Sequence, residues 1–166
     1  MAAQRAPVAQ VVSLAGAGRS ARVVLEEQLG RSLAGSPLLD EARRILARLA
    51  EGRTMDTASP QLAALFRPSV QPYLMSWLNI DPAAEIARLT VPVLVVQGTT
   101  DLQIAVADAE RLARANPSAR LEVVDGMNHV LKEVREPGRQ QASYSDPGMP
   151  LHPGLIGALR RFLASD

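Results

Sequence analysis

Two turns carry residue types suited to acid–base chemistry. The apolar run Val91-Pro92-Val93-Leu94-Val95-Val96-Gln97 ends in Gly98-Thr99-Thr100-Asp101, and the alternating run from Arg120 to Asp125 ends in Gly126-Met127-Asn128-His129. A carboxylate that accepts a hydrogen bond from one imidazole nitrogen fixes the tautomer of the ring. It also stabilises the imidazolium formed when the other nitrogen takes a proton from a nucleophile. In open α/β sheets, ligands bind just beyond the carboxyl ends of the strands. If the two runs are parallel neighbours, Asp101 and His129 leave the same edge of the sheet and can meet. Alone, such an Asp is more often a turn residue and such a His a structural one; the pairing singles them out.

The elements that must position this pair follow from the apolar pattern. Val8 to Leu14 is β-branched, short and closed by Ala15-Gly16-Ala17-Gly18, which reads as a buried strand. Helices are expected over Arg22 to Leu29, stopped near Gly30, and over Pro37 to Leu49, with Ser36 as cap and Gly52 as stop. Shorter helical pieces fall at Ser59 to Phe66 and at Val70 to Trp77, interrupted by Pro68 and Pro72, and from Asp81-Pro82 to Leu89. Ile104 to Ala115 is amphipathic and ends at Asn116-Pro117. Residues 132–152 are polar and rich in Pro and Gly, hence a long loop, and Leu155, Leu159, Phe162 and Leu163 mark a closing helix. Strands alternating with helices imply an α/β fold with a parallel sheet and right-handed crossovers. The first crossover, residues 19–90, is far longer than one helix, so a cap-like insertion is expected there.

The run ending Gln97-Gly98-Thr99-Thr100-Asp101, a helix, and a strand ending Gly126-Met127-Asn128-His129 resemble the last third of an α/β-hydrolase. In that family the triad follows the chain order serine, acid, histidine. The resemblance implies that Asp101 is the acid, His129 the base, Val8 to Leu14 the sixth of the family's strands, and residues 19–90 the cap. It implies ester or related acyl hydrolysis of a small-molecule substrate and no metal or organic cofactor. The family's Gly-x-Ser-x-Gly nucleophile motif does not occur in the sequence. Gly30-Arg31-Ser32-Leu33-Ala34 follows a helix, and Gly18-Arg19-Ser20-Ala21-Arg22 lacks the second glycine. The expectation is therefore a partial α/β-hydrolase fold of three parallel strands with a helical cap segment and a C-terminal helix, inactive alone. With the family's other strands absent, Val8 to Leu14 has an unpaired apolar edge that invites a partner chain, a second copy or aggregation.

Two readings of other classes compete. Gly16-Ala17-Gly18-Arg19-Ser20-Ala21 fits a dinucleotide-binding fingerprint, which would seat a pyrophosphate on a helix N-terminus. That fingerprint wants an acidic residue at the end of a second strand, whereas Asp40 and Glu41 sit in a helical pattern. The other reading is a truncated, non-catalytic remnant. Among further candidates, Gly16 and Gly18 are expected to let the chain turn sharply, and Asn128 either to orient the His129 loop by bonding backbone or, the favoured reading, only to tolerate a tight turn. His152 would cap or flank the last helix. Phe66, Tyr73, Met75 and Trp77 would be core, or would line an acyl pocket.

Composition bounds the rest. The chain has 166 residues, 47% of them hydrophobic and 21% charged, as an ordinary globular domain does. A net charge of +1 gives no electrostatic reason to expect nucleic acid or an anionic membrane. With no cysteine, disulfides, thiolate metal sites and a cysteine nucleophile are excluded. No apolar run approaches a membrane span, and Met1 to Val8 lacks the pattern of a signal peptide.

Overall fold

The computed structural model describes Gln4 and residues 6–164. In chain order its elements are β1 (Val11–Leu14), α1 (Ala21–Ser32), α2 (Leu38–Ala50), α3 (Ala63–Phe66), α4 (Gln71–Met75), α5 (Pro82–Ile86), β2 (Val93–Gly98), α6 (Val106–Ala115), β3 (Ala119–Val124), α7 (Gln140–Ser145) and α8 (Pro153–Leu163). Short 3-10 turns stand at Pro60–Leu62 and Pro137–Arg139. The chain divides into two compact units: residues up to Gly18 together with those from Pro82 onward, and Arg19–Asp81.

The first unit holds one sheet in the order β1-β2-β3, parallel throughout. Val11 lies opposite Val93, and Val93 opposite Ala119, so all three strands run to the same carboxyl edge. Side chains alternate across the central strand. Val93 and Val95 pack with Ile86, Ala109 and Leu112 of α5 and α6, while Leu94 and Val96 pack with Leu155 and Phe162 of α8. Every residue of β2 is buried, as its unbroken apolar sequence requires. Each such Val or Leu contributes about 1.5–3 kcal/mol by leaving water. Asn116, at the end of α6, donates to the carbonyls of Ile86 and Leu89 and accepts from the amide of Ser118.

The second unit is helical. Ala42, Ile45, Leu46 and Leu49 form the inward stripe of α2 and meet Phe66, Leu74 and Leu78. Ser36 Oγ accepts from the amide of Leu38, but α2 starts one residue later than the sequence reading, with Pro37 rather than Ser36 at the cap. Gln71 is fully buried and binds both the amide and the carbonyl of Met55 as well as the carbonyl of Phe66. Of the aromatic and Met candidates, Phe66 lies in the core, Met75 and Trp77 pack against it, and Tyr73 is exposed, meeting Trp77 edge-on.

Several elements differ from the sequence reading. The first strand is four residues long, not Val8 to Leu14; Val8 and Ala9 are exposed and pair with nothing in the sheet. Helix α1 runs through Gly30 to Ser32, because a lone glycine costs a helix only about 1 kcal/mol. Pro72 lies within α4 rather than interrupting it, at a first-turn position where no helical amide bond is lost. Residues 132–152 are not one loop, since α7 lies inside them.

Candidate active site

The loop after β2 is shaped by Asp101. Its Oδ1 accepts from the amides of Gln103 at 2.7 Å and Ile104 at 3.0 Å, which folds the chain back toward α6. Its Oδ2 accepts from Gln97 Nε2 at 2.9 Å. The loop after β3 turns at Gly126, whose φ of 79° suits glycine. It comes so close to the first loop that a Cβ on Gly98 would stand 1.9 Å from the carbonyl oxygen of Met127. The amide of Thr100 donates to that same carbonyl at 3.1 Å.

This close approach brings the two sequence-selected residues together. His129 Nδ1 lies 2.9 Å from Asp101 Oδ2. The Asp101 side chain is wholly buried, whereas that of His129 is 28% exposed. Burial pushes the Asp101 carboxyl up, but the hydrogen bonds from His129, Ile104, Gln97 and Gln103 outweigh it and hold the group below its ordinary value. An ionised carboxylate only accepts hydrogen bonds, so Nδ1 carries the proton. In the neutral ring Nε2 is then the bare nitrogen, and among the described residues nothing donates to it. Chemically, this is a base held in one tautomer with its accepting side toward solvent.

The turn after β1 uses a second carboxylate differently. Asp108, buried on α6, accepts from the amide of Gly18 at 3.0 Å. A Cβ on Gly18 would lie 2.2 Å from the Asp108 carbonyl oxygen, and one on Gly16 would lie 2.4 Å from Ser13 Oγ. Neither glycine has a positive φ; Ala15, at 48°, makes the turn. Gly18 is there for room against backbone, whereas the hydroxyl near Gly16 can rotate away, and neither glycine supplies a positive φ to the turn. The amide that a dinucleotide phosphate would use is already bonded to a carboxylate.

No family model matches the sequence. Among solved structures, an α/β-hydrolase fold protein from Chitinophaga pinensis is similar at 19% identity with a TM-score of 0.50, over 99% of this chain and 60% of that one. The chain has a partial α/β-hydrolase fold. An esterase from Rhodococcus sp. ECU1013 matches at 20% identity and a TM-score of 0.48, over 95% of this chain and 56% of that one. A hydrolase from Pseudomonas aeruginosa PA01 matches at 17% identity and 0.46, over 94% and 56%. This chain thus spans 56% to 60% of the length of these three structures.

Around the Asp101 and His129 loops the structure adds Gln97, which the sequence reading passed over, and gives Asn128 partners beyond its own turn. Gln97 reaches Asp101 from the strand that precedes it. Asn128 is fully buried and serves both its own turn and a longer connection: Oδ1 accepts from the amide of Lys132, and Nδ2 donates to Ser143 Oγ at 2.7 Å. Lys132 Nζ in turn donates to the carbonyls of Ser143 and Asp146 at the end of α7. A polar amide immediately before the His was the available signal, but its partners lie 12 and 15 residues away and leave no periodic trace. His152 caps α8 as expected, its Nδ1 accepting from the amide of Gly154.

Proposed function

We propose that this chain supplies the acid and base of a serine hydrolase that cleaves esters or related acyl bonds. His129 is the general base and Asp101 orients it. The observation that carries the reading is the buried carboxylate 2.9 Å from Nδ1 of a partly exposed imidazole, with Nε2 left open. In a triad, that open nitrogen takes the proton of the attacking serine and returns it to the leaving group. Asp101 stays ionised throughout and stabilises the imidazolium while the proton is on the ring.

The nucleophile lies in polypeptide outside this sequence, since no Gly-x-Ser-x-Gly occurs in it. The resemblance makes residues 19–90 the family's cap insertion, with a small ester-like molecule as the expected ligand. The edge of β1 supports a place for the missing part. The amides of Val11 and Ala15 donate to Pro92 and Val96, so the alternating ladder turns those of Val12 and Leu14 away from β2. A strand of the nucleophile-bearing polypeptide would pair there.

The purified chain is expected to hydrolyse p-nitrophenyl esters no faster than background. Turnover by the chain alone that vanishes in His129→Ala would overturn the assignment of the nucleophile to another polypeptide. Size-exclusion chromatography tests the open edge. Self-association or poor solubility relieved by Val12→Lys is the expected result, and a stable, soluble wild-type monomer counts against it. A dinucleotide reading requires NAD affinity that Gly18→Val removes; the Asp108 carboxylate on the Gly18 amide argues against it.

A further inference from the structure

A primary amide offers a donor and an acceptor a fixed distance apart, so a buried one can hold two backbone segments in one relative position. Gln140, the first residue of α7, is 7% exposed. Its Nε2 donates to the carbonyl of Thr100 at 3.0 Å, and its Oε1 accepts from Asn128 Nδ2 at 3.4 Å. Thr100 immediately precedes Asp101, and Asn128 immediately precedes His129. A second path closes the same circuit. Asn128 Nδ2 donates to Ser143 Oγ at 2.7 Å, and that hydroxyl donates to the Gln140 carbonyl at 2.6 Å. Every proton in this set has one direction: each amide nitrogen donates, each oxygen accepts, and no group is left facing its like.

We infer that Gln140 is a positioning residue that brackets the Asp101 and His129 loops from outside the sheet; this rests on the acid–base reading of that pair. The close approach at Gly98 sets how near the loops come, because the Met127 carbonyl fills the space a Cβ would take. The Thr100 amide on the Met127 carbonyl and the Gly126 amide on Thr99 Oγ1 tie the loops directly. The bracket adds a second tie from the side, since its two ends grip the residue before the acid and the residue before the base. Helix α7 is held in turn by Lys132, which bonds the carbonyls of Ser143 and Asp146. The segment after His129 thus folds back to lock the loop it has just left.

The test reads the proton between Asp101 and His129 directly, by its downfield NMR resonance and its exchange with water, on the full chain. Gln140→Met keeps the length and removes both polar ends. The resonance should broaden or exchange about tenfold faster, the factor expected for losing about one ordinary hydrogen bond, with the far-UV circular dichroism unchanged. Ser145→Ala, on the same helix and bonded only within it, should leave the exchange as in the wild type. If Gln140→Met does not fold, Gln140→Glu decides instead. It keeps an acceptor for Asn128 and sets an oxygen against the Thr100 carbonyl, so faster exchange is again expected. Exchange at the wild-type rate in the folded variant would overturn the bracket. Asp101→Asn separates the two claims. If the resonance is absent from the wild type or survives in Asp101→Asn, the acid–base pair itself fails and the bracket with it. If it is lost in Asp101→Asn but unaffected in Gln140→Met, only the bracket fails.

Discussion

The two units of the chain are built on different interiors. Among the described residues, Arg19–Asp81 buries one polar side chain, Gln71, within a core of Ile, Leu and Phe. The sheet unit buries Gln97, Asp108, Asn116, Asn128, Gln140, Ser143 and His152. Burying a polar group costs free energy unless its hydrogen bonds are made, and a satisfied network fixes geometry more tightly than apolar contact does. The helical unit is held mainly by volume. The sheet unit adds directional bonds, those of Gln97, Asn128, Gln140 and Ser143 lying around Asp101 and His129, while Gln97 Oε1 and His152 Nε2 find no partner among the described residues.

Substitutions should expose the contrast. The largest effect is expected in the apolar interior. Phe66→Ala, at a fully buried site, should destabilise by about 3–5 kcal/mol in urea unfolding, and a loss below 1 kcal/mol would show that the helical core is not packed as described. Next comes Gly98→Ala, which drives a methyl group against the Met127 carbonyl. It should cost about 3 kcal/mol, the upper part of the range for overpacking, and abolish the downfield His129 proton. Gly30→Ala is the same chemical change in the other unit, inside α1 with open space around the new methyl. It should stabilise the chain by about 0.5–1 kcal/mol, so one substitution type has opposite signs in the two units.

Acid unfolding sharpens the comparison further. The Asp101 carboxyl is held below its ordinary value in the folded state. As pH falls, the unfolded chain therefore binds this proton first. The stability Asp101 contributes is full above its unfolded value of about 3.9 and is lost as pH drops through the lower folded value. Asp101→Asn should flatten that part of the acid limb in unfolding measured from pH 6 downward. Glu41, lowered by hydrogen bonds from Ser59, and Asp125, lowered by Arg135, should keep the remainder. An unchanged acid limb would contradict the carboxylate's hydrogen-bonded state.

Apolar periodicity made the parallel sheet, α2, α6 and α8 legible, because a buried face leaves a repeat in the sequence. The Asp101–His129 pair was legible for a related reason: both residues follow a strand end, and parallel strands share an edge. What stayed hidden was set by contacts across the chain. Gln140 and Ser143 stand in a stretch whose composition says loop, and their partners lie on two other loops. The role of Gly18 depends on the Asp108 backbone 90 residues away. Ala15 takes a left-handed φ that no local signal marks, while the glycines beside it do not. The end of α1 was misplaced because glycine was read as a stop, where packing of Leu25, Leu29 and Leu33 carries the helix past it.

The chain's two histidines allow one decisive spectrum. His129 donates from Nδ1 to Asp101, and His152 accepts at Nδ1 from the amide of Gly154. In a long-range proton–nitrogen correlation spectrum, recorded where both rings are neutral, His129 should carry its proton on Nδ1 and His152 on Nε2. If His129 instead carries its proton on Nε2, the nitrogen meant to accept from a nucleophile is already occupied, and the account of this site is wrong.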